Sequence, residues 1–127
     1  MTLLVIAAGG ALGAVSRYLV GGWVQGAVGT SFPWGTVAVN VAGSFLLGFL
    51  LIWLQNVMAS TAAREFLALG FLGSFTTFSA YSWEAAALLR GGDWWRAGGY
   101  TAGSVFLGLV GVFLGMGAAH ALHSLRG

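Results

Sequence analysis

The chain contains no cysteine, no lysine and a single proline, and only three acidic residues among 127. The missing cysteine excludes disulfides, thiolate nucleophiles and thiolate metal sites. Five arginines against three acids leave a net charge of +2, too small and too scattered for a nucleic-acid surface. No nucleophile stands at usable spacing from a base and an orienting group, and no acid and His pairs suit metal hydrolysis, so an enzyme is not expected. A nucleotide-binding loop is absent as well. What the chain has in abundance is apolar surface: 58% of its residues are hydrophobic and 6% charged, which takes it out of the soluble globular class.

A membrane crossing needs about 20 predominantly apolar residues, and the chain divides into four such stretches, near residues 3–24, 36–58, 65–90 and 97–122. The expectation is an all-α membrane protein, one four-helix transmembrane domain over residues 1–127, with nothing left for a soluble domain. Met1 leads directly into an apolar run without the basic region or cleavage site of a signal peptide, so the first crossing is expected to stay. Four crossings put both termini and the 59–64 connection on one side, and the 25–35 and 91–96 connections on the other. Arg64 and Arg126 then face Arg90 and Arg96 across the bilayer, a tie under the rule that arginine marks the cytoplasmic side. A chain without bias inserts both ways, and an antiparallel homodimer follows as a hypothesis. Close helix packing is expected at the pairs Gly9/Gly13, Gly99/Gly103 and Gly111/Gly115, because helices in lipid associate through small residues.

The third stretch carries the most chemistry. Gly70, Gly73, Ser74, Thr76 and Thr77 make a weak helix interior, and a break is expected between Gly73 and Thr77. Irregular backbone at membrane depth survives only where protein buries it or where it lines a cavity. Freed carbonyls suit a hard cation of low charge; the alternative is a kink healed by the Ser and Thr side chains. Phe75, Phe78, Tyr81 and Glu84 recur every three residues, a stripe of positive ring edges that favours an anion in a dry passage, or else plain packing. Ser79 and Ser82 lie beside it as hydroxyl donors.

Thr36, Asn40 and Ser44 share a face of the second stretch. An Asn at that depth needs either an interhelical partner or a job. Tyr100 and Ser104 form a short hydroxyl track on the fourth stretch, with Gly108 continuing the face. Arg17, inside the first stretch, either snorkels to an interface or neutralises a vestibule that collects anions, with Glu84 as a possible partner. His120 and His123 have no companion ligand and read as interfacial residues; Trp94 and Trp95 read as an aromatic belt, which Trp23, Trp34, Trp53 and Trp83 extend.

Three motifs in this order, GGALGAVSRY at 9–18, PWGTVAVNVAGSFLLG at 33–48 and GFLGSFTTFSAYSWE at 70–84, make the chain resemble the Fluc fluoride channels, also called CrcB. The resemblance covers nearly the whole length. It implies a passive, fluoride-selective channel, a dual-topology homodimer with two antiparallel pores, and a sodium ion held at the centre by carbonyls of the broken third helices. By motif position, Asn40 is implied as the pore amide and Phe78 as the first member of an aromatic box. Thr77 and Ser79 follow as neighbouring hydroxyls, and Tyr100 and Ser104 lie on the polar track of the last helix. Gly73 and Thr76 are implied as the residues giving carbonyls to sodium, and Arg17 and Glu84 as charges at the pore entrances. The pattern is departed from twice: Tyr81 stands where many members have Phe, and Gly108 and Val112 replace hydroxyls found in some relatives. The expected setting is the lipid bilayer of a bacterial inner membrane, with fluoride, sodium and a second copy as partners.

Two other readings compete. Small multidrug-resistance exporters are also short and dual-topology, but they need a carboxylate in the first helix, and residues 3–24 contain neither Asp nor Glu. A non-conducting scaffold would use the glycines but would have no reason for the broken, hydroxyl-rich third stretch.

Overall fold

Apolar runs without interior proline satisfy their backbone internally in lipid only as helices or closed barrels, and here every regular element is helical. A computed structural model describes residues 1–127. Helix α1 spans Thr2–Val28, α2 Trp34–Asn56 and α6 Trp94–Leu125. These three are long and apolar enough to cross a membrane. Residues between α2 and α6 form α3 (Thr61–Arg64), a π-helical segment (Glu65–Leu72), α4 (Gly73–Phe75) and α5 (Phe78–Arg90).

The ends follow local chemistry. Gly29 closes α1 in the left-handed conformation, φ 67°, where a side chain is disfavoured. Pro33 caps α2 without needing an N–H of its own. Ser60, Thr77 and Asp93 accept from backbone N–H groups in the first turns of α3, α5 and α6. Helices α1 and α6 overrun the apolar stretches expected from hydropathy: α6 holds 32 residues rather than 26. A helix does not stop where the hydrocarbon ends, and 32 residues extend about 48 Å.

Helix α2 runs along α6, α1 lies against the π segment and α2, and α5 leans on α6. Glycine sets three of these contacts, the α1–α2 one through Gly35 against the Gly21 carbonyl. A Cβ on Gly13 would run into the Phe71 carbonyl, and one on Gly115 into the Phe45 carbonyl. Gly9 likewise meets Phe66 and Gly70. Gly99 and Gly103, by contrast, have nothing within 4 Å of an added Cβ, so within one chain that expected pair packs against nothing. The π segment was not foreshadowed by composition; it widens the helix by one residue per turn where it meets α1.

Contacts at the two ends fix the arrangement. Thr2 Oγ1 donates to Glu65 Oε1 at 3.3 Å, and the Arg126 guanidinium lies 4.6 Å over the Trp53 ring. Both termini therefore share one end with the α2–α3 connection. At the other end Arg96 Nη1 donates to Ser31 Oγ at 2.9 Å, joining the α1–α2 and α5–α6 connections.

Candidate functional site

The break falls at Thr76 and Thr77, whose backbones are extended. Asn40, on α2, closes over it. Its Nδ2 donates to the Thr77 carbonyl at 3.0 Å, and its Oδ1 accepts from Thr77 N–H at 2.7 Å. One amide thus pairs with both backbone groups of the residue at the break, which answers the accounting of polar groups at this depth. Thr77 Oγ1 then caps α5 by accepting from Ala80 N–H at 3.2 Å, and lies 3.3 Å from Ser79 Oγ.

These bonds occupy two of the donors that would otherwise reach back across the break. In an uninterrupted helix Thr77 N–H would donate to the Gly73 carbonyl and Ala80 N–H to that of Thr76. Asn40 takes the first donor and the Thr77 hydroxyl takes the second. No backbone N–H from beyond the break replaces them. Gly73 and Thr76, together with Ser74 and Phe75, whose i+4 donors Phe78 and Ser79 likewise make no backbone bond to them, present oxygens of the kind that hard cations take, and the Gly73 and Thr76 carbonyls among them fit the sodium ion implied by the resemblance.

A cavity of about 270 Å³ opens on one side of the clasp. Asn40, Ser44, Gly73, Thr76, Phe78 and Tyr81 contribute to its wall. The second hydrogen on Asn40 Nδ2 is left for this space. Phe78 and Tyr81 lie 5.6 Å apart between ring centroids, and Tyr81 lies 5.4 Å from Tyr100. The Tyr81 hydroxyl donates to the Thr101 carbonyl at 3.0 Å, so its proton is occupied. Phe75 does not join this row, contrary to the three-residue stripe: the break turns it inward, where it is buried and stacks on Phe71 at 6.0 Å.

A second cavity, about 280 Å³, lies on the other side and is walled by Arg17, Gln25, Thr36, Thr77 and Glu84 among others. Thr77 borders both cavities. The pairing of Arg17 with Glu84 is not made; the chain's one ion pair joins Arg96 to Asp93 at 3.5 Å. Arg17 Nε is buried without a partner. Glu84 is held by hydroxyls instead: Thr36 Oγ1 donates to Oε1 at 2.8 Å and Tyr100 Oη to Oε2 at 2.7 Å. Thr36 and Tyr100 hold the two carboxylate oxygens from α2 and α6, and Arg17, on α1, lines the same cavity without bonding to them.

Tyr100 is 1% exposed, and Ser104 Oγ is buried without a partner. Thr77 is buried, whereas Ser79 and Gly73 are exposed on the surface of the single chain, as is Phe78. His120 and His123 are exposed near the C-terminal end of α6, and Trp94 and Trp95 are exposed at its start. Residue patterning overlooked Gln25 and Phe32. Gln25 bonds to Thr30, Phe32 and Gly35, and Phe32 meets the Tyr100 ring edge-on at 5.5 Å. The available signal was an amide near the end of an apolar helix, followed by the helix-ending Gly29 and Pro33, a place where free carbonyls need donors.

An all-helical membrane protein with a clasped break and a polar cavity on either side of it is the class these features define. A family model described as "CrcB-like protein, Camphor Resistance (CrcB)" matches residues 4–116. The chain is 51% identical over 119 residues to a "Fluoride-specific ion channel FluC" of Thermus thermophilus, covering 94% of each chain. It is 48% identical over 127 residues to a protein of the same name from Opitutus terrae, covering 98% of this chain and 96% of the relative. A third relative of that name, from Rhizobium meliloti, is 48% identical over 121 residues, 94% of this chain and 97% of its own. The chain belongs to the CrcB family.

Proposed function

We propose that the chain is a fluoride-selective passive channel, a transporter rather than an enzyme, formed by two copies inserted in opposite directions in a bacterial inner membrane. The observation that carries this reading is the Asn40–Thr77 clasp, with a donor-lined cavity on each side of it. The relatives named as fluoride-specific ion channels support the ion.

The residues supply what a small, strongly hydrated anion needs. Arg17, with an unpaired buried N–H, draws the anion into one cavity. At the break the remaining amide hydrogen of Asn40, the one hydroxyl hydrogen that the Thr77–Ser79 pair does not use between its members and the edges of Phe78 and Tyr81 replace water. Tyr100 and Ser104 continue the polar face along α6. Fluoride enters cells as neutral HF and ionises inside, and a membrane potential of 100 mV then drives each charge outward with about 2.3 kcal/mol. No energy source is required.

The break also argues for the second copy and the fourth crossing. Residues 61–90 together are long enough to span, and the interrupted helix is tolerated only if protein covers it. Phe78 is 78% exposed in the single chain, and exposed Gly73 and Ser79 adjoin it. A second, inverted copy laid on this face would bury the polar break. Sodium, held by the Gly73 and Thr76 carbonyls of both copies, would supply positive charge at that centre.

Fluoride-electrode traces from proteoliposomes, run beside chloride, test the reading. Fluoride efflux well above empty vesicles with chloride retained is expected. Equal release of both halides, or none, would sink it.

A further inference from the structure

Gln25 spends its side-chain amide on the connection between α1 and α2. Nε2 donates to the Thr30 carbonyl at 2.8 Å and to the Phe32 carbonyl at 2.9 Å, and Oε1 accepts from Gly35 N–H at 3.0 Å. Both amide hydrogens are used, so Gln25, although it lines the Arg17 cavity, has no donor to offer an ion. Its effect is transmitted through the connection it clamps.

Two routes lead from that clamp to one carboxylate. Fixing Gly35 fixes the first turn of α2, hence Thr36, whose hydroxyl donates to Glu84 Oε1 at 2.8 Å. Fixing Phe32 sets its ring against Tyr100, centroids 5.5 Å apart and planes at 88°. Tyr100, almost wholly buried, donates to Glu84 Oε2 at 2.7 Å. Glu84 and Arg17 share a cavity yet form no ion pair, and the Arg17 Nε hydrogen remains unpartnered. In a medium of low dielectric an acid and a guanidinium that share a cavity attract strongly. Something must hold them apart.

We infer that Gln25 is a positioning residue that keeps Glu84 off Arg17, leaving the guanidinium free for the permeating anion. With the clamp released, Thr36 and Tyr100 lose their register, Glu84 swings onto Arg17, and the protein supplies its own anion where fluoride should bind. This inference rests on the channel reading above.

The test compares four proteins in fluoride-loaded liposomes: wild type, Gln25→Met, Glu84→Gln and the double variant. Gln25→Met is expected to slow fluoride efflux about tenfold, in keeping with the cost of unpairing part-buried polar groups. In the Glu84→Gln background the same change should cost nothing further, because an amide carries no charge to neutralise Arg17. An equal slowing in both backgrounds would mean that Gln25 matters only for the fold, and an unslowed Gln25→Met would overturn the inference directly. Should Gln25→Met fail to assemble, Phe32→Leu breaks the Tyr100 route alone and is expected to show the same dependence on Glu84. Hydrogen exchange at the Gly35 amide gives a readout independent of flux: faster exchange in Gln25→Met is expected, and unchanged exchange would show that no clamp exists. A wild type that passes no fluoride sinks the channel reading and this inference with it, while a conducting wild type with slowing independent of Glu84 sinks the inference alone.

Discussion

Tyr81 brings a phenol into a row of ring edges, and a phenolic proton near a fluoride path is either spent on the protein or offered to the ion. Here it is spent, on the Thr101 carbonyl at 3.0 Å. Tyr81→Phe should therefore change fluoride flux by less than about fivefold, the equivalent of one hydrogen bond of about 1 kcal/mol. A collapse of flux would place the hydroxyl on the ion. Asn40 is the opposite case, because its amide both clasps the break and faces the adjoining cavity. Asn40→Asp keeps the acceptor for Thr77 N–H, loses the donor to the Thr77 carbonyl and adds a negative charge to an anion path. Liposomes carrying it should release little fluoride, and release at the wild-type rate would remove Asn40 from the route. The residue types were readable in the sequence, but not their partners: Asn40 and Thr77 are separated by 37 positions, and no local pattern encodes that contact. Arg17 and Glu84 show the same limit, since charge suggested a pair where two hydroxyls took the acid.

Among the elements, the broken segment depends on α1 as its backing. Gly13 lies so close to the Phe71 carbonyl that a methyl group cannot enter without separating the two backbones. Gly13→Ala should destabilise the protein by about 1–3 kcal/mol, the usual cost of overpacking, read as a lower midpoint of unfolding in detergent. Gly117→Ala is the comparison, with nothing within 4 Å of the added carbon and a gain in helix propensity of about 0.8–1.0 kcal/mol. Similar losses for both would mean that the close approach is not what stabilises this contact. The break itself was legible, because glycine and short hydroxyl residues cluster at 70–77. The π segment beside it was not. The residues of Glu65–Leu72 have no composition that distinguishes them from an α-helix.

For the molecule as a whole, the balance of arginines at its two ends is the observation with most reach. Arg126 lies at the end shared by the termini, as does Arg64, the neighbour of the Thr2-bound Glu65, while Arg90 and Arg96 flank the α5–α6 connection at the other. A reporter fused to the C-terminus should be found on both sides of the membrane in comparable amounts, as an unbiased chain requires. Adding two lysines after Arg126 should drive the population to one orientation, and fluoride resistance should then fall unless an oppositely biased copy is supplied. Detection of the unmodified fusion on one side alone would end the antiparallel assembly.

Composition was enough to indicate a helical membrane protein, the weak point in its third stretch and the polar residues that stand out at membrane depth, because apolar runs, glycine clusters and rare charges carry their meaning locally. Which of those residues meet was decided by packing in three dimensions. Helix α2 had to lie beside the break before Asn40 could take Thr77, and α6 had to close over α5 before Tyr100 could take Glu84. A hydrogen bond depends on a few tenths of an ångström between distant segments, and that distance exists only after the helices have docked.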